Sequence, residues 1–169
     1  MGRVVADTVV KMWNETENYV ADKLNANYDI VFNKTRTDDE EKYEEYKKIR
    51  EDHYSGKISG TDYTLLGNCT RVINLRTAPI YQQLPVTVIN LGKIGFVGLG
   101  GEPFTKYGVD IREALPDRFI ITSCCTNGGE GYLPTKEAFS EGGYEAGASP
   151  FSPNLEEDCT KKAIELLNK

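Results

Sequence analysis

Several features that identify common protein classes are missing from this sequence. It contains a single histidine, His53, and a single tryptophan. No apolar run approaches the roughly 20 residues of a transmembrane helix, and the first residues lack the long apolar core of a signal peptide. We therefore expect a soluble protein that is either cytoplasmic or a piece of a secreted protein. Its net charge of −6 disfavours a nucleic-acid partner, which would require a basic face.

The cysteines also exclude two kinds of site. Cys69, Cys124, Cys125 and Cys159 form no CxxC pair, so neither a zinc knuckle nor an obvious disulfide framework is predicted. We expect buried, reduced thiols. Hydrophobic residues make up 39% and charged residues 27% of the chain. This composition predicts one globular domain over residues 1–169.

Hydrophobic periodicity and turn residues predict a mixed α/β (α+β) fold. About four strands form a mixed sheet that packs with helices. The first predicted helix, 3–25, carries an apolar stripe of Val5, Val9, Met12 and Trp13. Helices are also predicted over 37–53, 61–78, 103–115, 134–139 and from Ser152-Pro153 onward. The predicted strands are 28–34, 84–91, 94–97 and 119–123, with a tight hairpin at Gly92-Lys93 and the last strand at the centre of the sheet.

The stretch from Val86 to Glu145 organises the rest of the chain. An apolar run ends at Val97, and a glycine-rich turn then leads to Glu102 and Pro103. Such an acid can be a metal ligand or a general base. It can equally be a helix-terminal charge worth only about 0.3–1 kcal/mol of helix stability. The residues alone favour the second interpretation of Glu102.

Four short motifs in this stretch occur together in one order. They are Gly101-Glu102-Pro103-Phe104, Asn127-Gly128, Gly131-Tyr132-Leu133-Pro134-Thr135 and Glu141-Gly142-Gly143-Tyr144-Glu145. In this combination the sequence resembles the C-terminal part of the catalytic domain of neutral/alkaline (non-lysosomal) ceramidases and their bacterial relatives. The resemblance covers a late segment of that domain.

The resemblance implies a zinc-dependent amide hydrolase that cleaves an N-acyl sphingoid base to a fatty acid and an amine. It implies that Glu102 and Tyr132 are ligands of the zinc ion. It also implies that Tyr144 lies close to the metal and hydrogen-bonds the scissile carbonyl or its oxyanion. The roles of the two tyrosines could be exchanged. The residues alone predict only a packed aromatic at Tyr132.

The sequence departs from the family in two places. Family members usually have Pro-Gly-Glu where this chain has Gly100-Gly101-Glu102, which predicts a looser turn. The family also takes zinc-ligating histidines from the N-terminal half of its catalytic domain. His53 matches none of them, and its charged surroundings predict a solvated side chain on a surface helix.

These departures predict a chain that supplies only part of a metal site. We expect that the chain alone binds zinc weakly or not at all and is inactive, because a catalytic zinc site needs about three protein ligands. Its expected partners are the missing N-terminal half of the catalytic domain and, in the parent protein, a lipid amide. An apolar face left by the missing half could also cause self-association. The alternative is a non-catalytic binding or structural module that retains the fold without the chemistry.

Overall fold

A four-stranded mixed sheet forms the centre of the protein, which is described here by a computed structural model over residues 1–17, 19–21 and 23–169. The strands are β1 (Leu24–Lys34), β2 (Tyr81–Leu91), β3 (Ile94–Leu99), β4 (Glu102–Pro103), β5 (Phe119–Ser123) and β6 (Tyr132–Leu133). The order in the large sheet is β1-β2-β3-β5, and β4 and β6 form a separate two-stranded pair. β1, β2 and β3 are antiparallel neighbours, and β5 runs parallel to β3. The predicted fold class is confirmed.

Helices precede, connect and follow these strands along the chain. They are α1 (Gly2–Glu15), α2 (Tyr43–Tyr54), α3 (Tyr63–Leu75), α4 (Thr105–Ala114), α5 (Lys136–Glu141), α6 (Tyr144–Ala148) and α7 (Leu155–Leu167), with a 3-10 turn at Glu40–Lys42 before α2. The predicted hairpin is confirmed, since Leu91 and Ile94 are register partners on either side of Gly92-Lys93. Asp62 is the N-cap of α3, because its carboxylate accepts a hydrogen bond from the Leu65 amide at 3.1 Å.

The prediction of a first helix over 3–25 is wrong at its C-terminal end. The helix stops at Glu15, where Thr16 adopts an extended conformation. Leu24 already pairs with Leu91 as the first residue of β1, so pairing with β2 replaces helical hydrogen bonding there. Positions 18 and 22 of the predicted helix lie outside the described residues. Every residue of α1 is exposed, including its apolar stripe.

Three other predictions about the secondary structure are corrected. Residues 119–123 form an edge strand, not a central one, because only β3 pairs with them in the described chain. The last helix begins at Leu155, since the Ser152 hydroxyl donates to the Lys34 carbonyl at 2.7 Å and does not cap the helix. Residues 144–148, for which no helix or strand was predicted, form the short helix α6.

The main core lies on one face of the sheet. Alternate residues of β2 supply it, and Leu84, Val86 and Val88 have no exposed surface. α4 and α7 pack over this face, and their buried side chains join the β2 residues in one hydrophobic cluster. Tyr107 on α4 is fully buried, and its hydroxyl donates to the Pro134 carbonyl at 3.1 Å. This bond ties the core to the segment that follows β6.

The opposite face of the sheet is apolar and exposed. The register places Ile89, Phe96 and Ile121 side by side across β2, β3 and β5. Their exposed fractions are 40%, 37% and 38%. Phe119 and Tyr28, which are also exposed, lie on the same face. We call this surface the open face. Its residues are neighbours across the strands, unlike the single scattered apolar residues that are normal on a monomer surface.

A smaller cluster lies beside the sheet. α2 and α3 pack together through Tyr46, Cys69 and Val72, which are buried. α3 also packs closely against α6. The protein therefore has a main core under the sheet and a helical side layer that reaches α6.

We expect the two faces of β2 to contribute unequally to stability. Leu84→Ala should lower the free energy of unfolding by about 2–5 kcal/mol, because it leaves a cavity in the core. Ile89→Ala, on the open face of the same strand, should lower it by about 1 kcal/mol or less. Urea unfolding followed by circular dichroism measures both. Equal losses would mean that the open face is covered in solution.

Candidate functional site

Glu102 and Tyr132 are direct register partners in the short parallel pair of β4 and β6. The Glu102 amide donates to the Gly131 carbonyl at 2.9 Å, and the Phe104 amide donates to the Leu133 carbonyl at 3.1 Å. Side chains of register partners on adjacent strands leave the same face of a sheet. The Glu102 carboxylate is exposed and Tyr132 is half-buried, so both reach the surface on one side of this pair.

Glycine at position 101 allows the two short strands to approach each other. A Cβ atom on Gly101 would lie 2.6 Å from the Gly131 carbonyl oxygen and 2.8 Å from a Leu133 methyl carbon. A Cβ atom on Gly100 would lie 2.6 Å from Cδ of Pro85. Neither glycine has a positive φ, so close packing, not a special turn conformation, requires them. The predicted looser turn at Gly100-Gly101 is therefore not found.

The loop after β5 fixes this glycine segment through backbone hydrogen bonds. The Cys125 amide donates to the Gly101 carbonyl at 2.8 Å, and the Glu130 amide donates to the Gly100 carbonyl at 2.9 Å. Cys125 and Asn127 have φ values of 48° and 60°, in the left-handed region that side chains other than glycine rarely adopt. The loop therefore holds a strained conformation directly behind Glu102.

Glu102 does not lie in a helix. α4 begins at Thr105 with Phe104 as its N-cap, whereas the sequence predicted that the helix starts at Pro103. An acid stabilises a helix only within its first turn. Stabilisation of the α4 dipole therefore does not explain Glu102, and the interpretation favoured by the residues alone is wrong.

Tyr144 lies at the start of α6 and contacts Tyr132. The two ring centroids are 5.8 Å apart, with an interplanar angle of 72°, which is the favourable edge-to-face arrangement. A Cβ atom on Gly67 of α3 would lie 3.3 Å from the Tyr144 ring. The buried Ser149 hydroxyl, just after α6, donates to the Tyr132 carbonyl at 2.9 Å. The structure thus brings Glu102, Tyr132 and Tyr144 together, the first two in a strand pair and the third in a helix.

The charge of Glu102 acts on Tyr132. It is the largest cause that raises the pKa of the Tyr132 phenol above its ordinary value, and burial, Tyr144 and Glu145 raise it further. The neutral phenol is therefore favoured in the protein alone. A bound cation would act in the opposite direction and favour the phenolate.

The donors present fit part of a zinc site. A carboxylate and a phenol oxygen are acceptable ligands, but a catalytic site needs about three protein ligands and a water molecule. No group of three or more His, Cys, Asp or Glu side chains able to hold a metal occurs among the described residues. His53 is half-buried instead of solvated as predicted, and its Nδ1 lies 3.2 Å from the Thr61 hydroxyl.

Two of the four cysteines differ from the prediction. Cys69 and Cys159 are buried, but Cys124 and Cys125 are exposed. Desolvation, Cys124 and the charge of Glu102 raise the pKa of the Cys125 thiol, in that order. The sequence analysis did not identify these two thiols as neighbours of the site. The sequence signal that could have found them is their position directly after the strand β5.

Two buried residues that support the site were also missed. Ser149 holds Tyr132, and Arg71 donates to the Gly147 carbonyl in α6 at 2.7 Å. A buried arginine in the middle of a helix has no local sequence signal, since its partners lie 76 and 33 residues away along the chain.

Comparison with known proteins supports the fold. No protein-family model matches the sequence, and no curated protein matches it either. The structure of a neutral ceramidase from Pseudomonas aeruginosa matches 94% of this chain with a TM-score of 0.59 and 13% identity. The chain spans 30% of the length of that protein. A ceramidase complexed with C2 matches 53% of this chain and 15% of its own, with a TM-score of 0.45 and 20% identity. The match to the Pseudomonas aeruginosa protein shows that the fold is ceramidase-like, as the sequence motifs predicted.

We expect Gly101→Ala to disturb the pairing of Glu102 with Tyr132. The new methyl group would collide with the Gly131 carbonyl, and the strain should cost about 1–3 kcal/mol of stability. Urea unfolding measures this loss, and the NMR shifts of the Glu102 and Tyr132 amides report the pairing. Gly129→Ala is the control, since a Cβ atom there meets nothing within 4 Å. Equal effects of the two substitutions would contradict the close-packing argument.

We expect Glu102→Gln to lower the pKa of Tyr132 towards its ordinary value of about 10. The substitution removes the negative charge that contributes most to the shift. NMR titration of the Tyr132 ring is the required measurement, because the chain contains 10 tyrosines. Glu145→Gln is the control and should have a smaller effect, since Glu145 is the last of the four causes. An unchanged Tyr132 pKa in Glu102→Gln would show that the carboxylate does not face the phenol.

Proposed function

We propose that this chain is part of the catalytic domain of a zinc-dependent amide hydrolase similar to neutral ceramidase. In this proposal Glu102 and Tyr132 are two of the metal ligands, and Tyr144 binds the substrate carbonyl. The substrate is a lipid amide of the N-acyl sphingoid base type. The remaining ligands come from an N-terminal half of the domain that this chain does not contain.

The observation that carries the proposal is the direct pairing of Glu102 with Tyr132. Two oxygen donors on adjacent strands can share one cation, and backbone hydrogen bonds between the two strands hold them side by side. Tyr144 contacts the Tyr132 ring and lies on a separate helix. This arrangement favours Tyr132 as the ligand and Tyr144 as the residue beside the metal, instead of the exchanged roles.

In this proposal, Glu102 and Tyr132 would hold the metal ion, and Tyr144 would donate a hydrogen bond to the substrate. When bound, the zinc ion supplies Lewis acidity and a nucleophilic water at neutral pH. The phenol of Tyr144, whose residue is 41% exposed, would donate a hydrogen bond to the oxygen of the scissile carbonyl. Donation to an oxygen that gains negative charge stabilises the transition state more than the substrate.

The open face supports the proposal that another part of the domain packs against this chain. An exposed apolar sheet face costs solubility unless a second layer covers it. We propose that the N-terminal half of the catalytic domain provides that layer. Without it, two copies of the chain could associate through the same face. No helix in the described part of the chain is long and apolar enough to cross a membrane.

Zinc titration of the chain alone tests the ligand assignment. Calorimetry at neutral pH should detect only weak binding, because two oxygen ligands do not complete a tetrahedral site. Glu102→Ala should remove this weak binding, and Glu113→Ala, which changes an exposed acid of α4, should not. Tight binding of one zinc ion would reveal ligands in this chain that the proposal omits.

Amide hydrolysis tests the function itself. In a protein that joins this chain to a histidine-bearing N-terminal half, Tyr144→Phe should lower kcat about a hundredfold to a thousandfold. Tyr54→Phe, an exposed residue of α2, is the control and should leave kcat unchanged. Absence of hydrolysis and of zinc binding in the joined protein would reject the proposal in favour of a non-catalytic module with the same fold.

A further inference from the structure

The last carbonyl groups of α6 need hydrogen-bond donors from elsewhere. In a continuing helix the Ala146 carbonyl would accept from residue 150, but that residue is Pro150 and has no amide hydrogen. The Gly147 carbonyl would accept from residue 151, but the Phe151 amide is directed to the Ser149 hydroxyl. A five-residue helix is too short to be stable through its own hydrogen bonds. Its position therefore depends on side chains that satisfy these carbonyls.

Two arginines satisfy them. Nε of Arg71 donates to the Gly147 carbonyl at 2.7 Å, and Arg36 donates to the Ala146 carbonyl. The guanidinium group of Arg36 also lies over the Phe139 ring, 5.0 Å from its centroid. Both arginines thus attach the C-terminal end of α6 to other elements.

Arg71 is the more buried of the two and connects three parts of the chain. Its side chain is 1% exposed, against 14% for Arg36. Nη1 donates to the Asp38 carbonyl at 3.0 Å, and Nη2 lies 3.1 Å from the Asp39 carboxylate. A buried charge is retained only when it is paired and fully hydrogen-bonded. Every nitrogen of this guanidinium group has a partner, and one of those partners belongs to α6.

α6 packs closely against α3, the helix that carries Arg71. A Cβ atom on Gly147 would lie 2.8 Å from Oδ1 of Asn68 on α3, so the α6 backbone lies directly on that helix. One turn before Arg71 on α3, Gly67 receives the Tyr144 ring. The same surface of α3 therefore supports both ends of α6.

We propose that Arg71 is a positioning residue for Tyr144, which it holds against Tyr132 through the Gly147 carbonyl. The substrate-binding role of Tyr144 rests on the proposed function. The contact between the Tyr132 and Tyr144 rings, however, exists without a metal ion or substrate. Lysine cannot replace arginine here, because one ammonium group cannot reach α6 and the Asp38-Asp39 segment in the same fixed geometry.

The test compares Arg71→Lys with Arg76→Lys in the full chain. Arg76 lies on the same helix, at its C-terminal end, and stacks on Tyr43 without contacting α6. In Arg71→Lys the NMR contacts between the Tyr132 and Tyr144 rings should disappear. The Gly147 and Ser149 amides, which close the hydrogen bonds of α6, should exchange with solvent about tenfold faster or more. Amides of β2 should keep their protection, and Arg76→Lys should change neither signal.

Ring contacts that remain in a folded Arg71→Lys protein would overturn the proposal. If that variant does not fold, Asp39→Asn replaces it, since it weakens the hold on Arg71 from the opposite side without touching α6. Unchanged ring contacts in Asp39→Asn would then reject the proposal. Neither readout depends on zinc binding or hydrolysis, so failure of the proposed function would leave this result standing, and the reverse also holds.

Discussion

The candidate site depends on the close approach of two backbone segments. Gly101 allows the chain after β3 to lie against the segment that contains Gly131, and Gly100 allows it to pass close to Pro85. Backbone hydrogen bonds from Cys125, Glu130 and Glu102 then fix these segments. Each bond exchanges a partner in water for a partner in the protein, so its net contribution is modest. Their number and direction nevertheless fix the position of Glu102 without any help from its own side chain.

Local chemistry made the main elements of the fold predictable. Alternating apolar residues marked β2, and the pair Gly92-Lys93 marked the hairpin. Four motifs in one order led to the ceramidase-like fold that the structural comparison supports. The strand and hairpin signals depend on neighbours within a few residues, which a single sequence displays directly. The fold prediction depended instead on the resemblance of the four motifs to a known family.

Features set by distant partners were not predictable in the same way. The end of α1 was missed because pairing of Leu24 with Leu91 overrides helical periodicity. Glu102 was assigned to a helix because the sequence does not show that Gly131 supplies a strand partner. The exposure of Cys124 and the burial of Arg71 likewise follow from tertiary packing, which composition and spacing do not encode.

The unequal exposure of the four thiols gives the protein a natural attachment point. Burial raises the pKa of Cys69 and Cys159, which keeps both as unreactive thiols. Cys124 and Cys125 are open to solvent, in the loop that holds the Gly101 carbonyl. The pKa of the Cys125 thiol is also raised, so a maleimide dye or spin label should react in that loop at Cys124, without any engineered cysteine. The unaltered chain can thus carry a reporter beside Glu102 that senses whatever binds there.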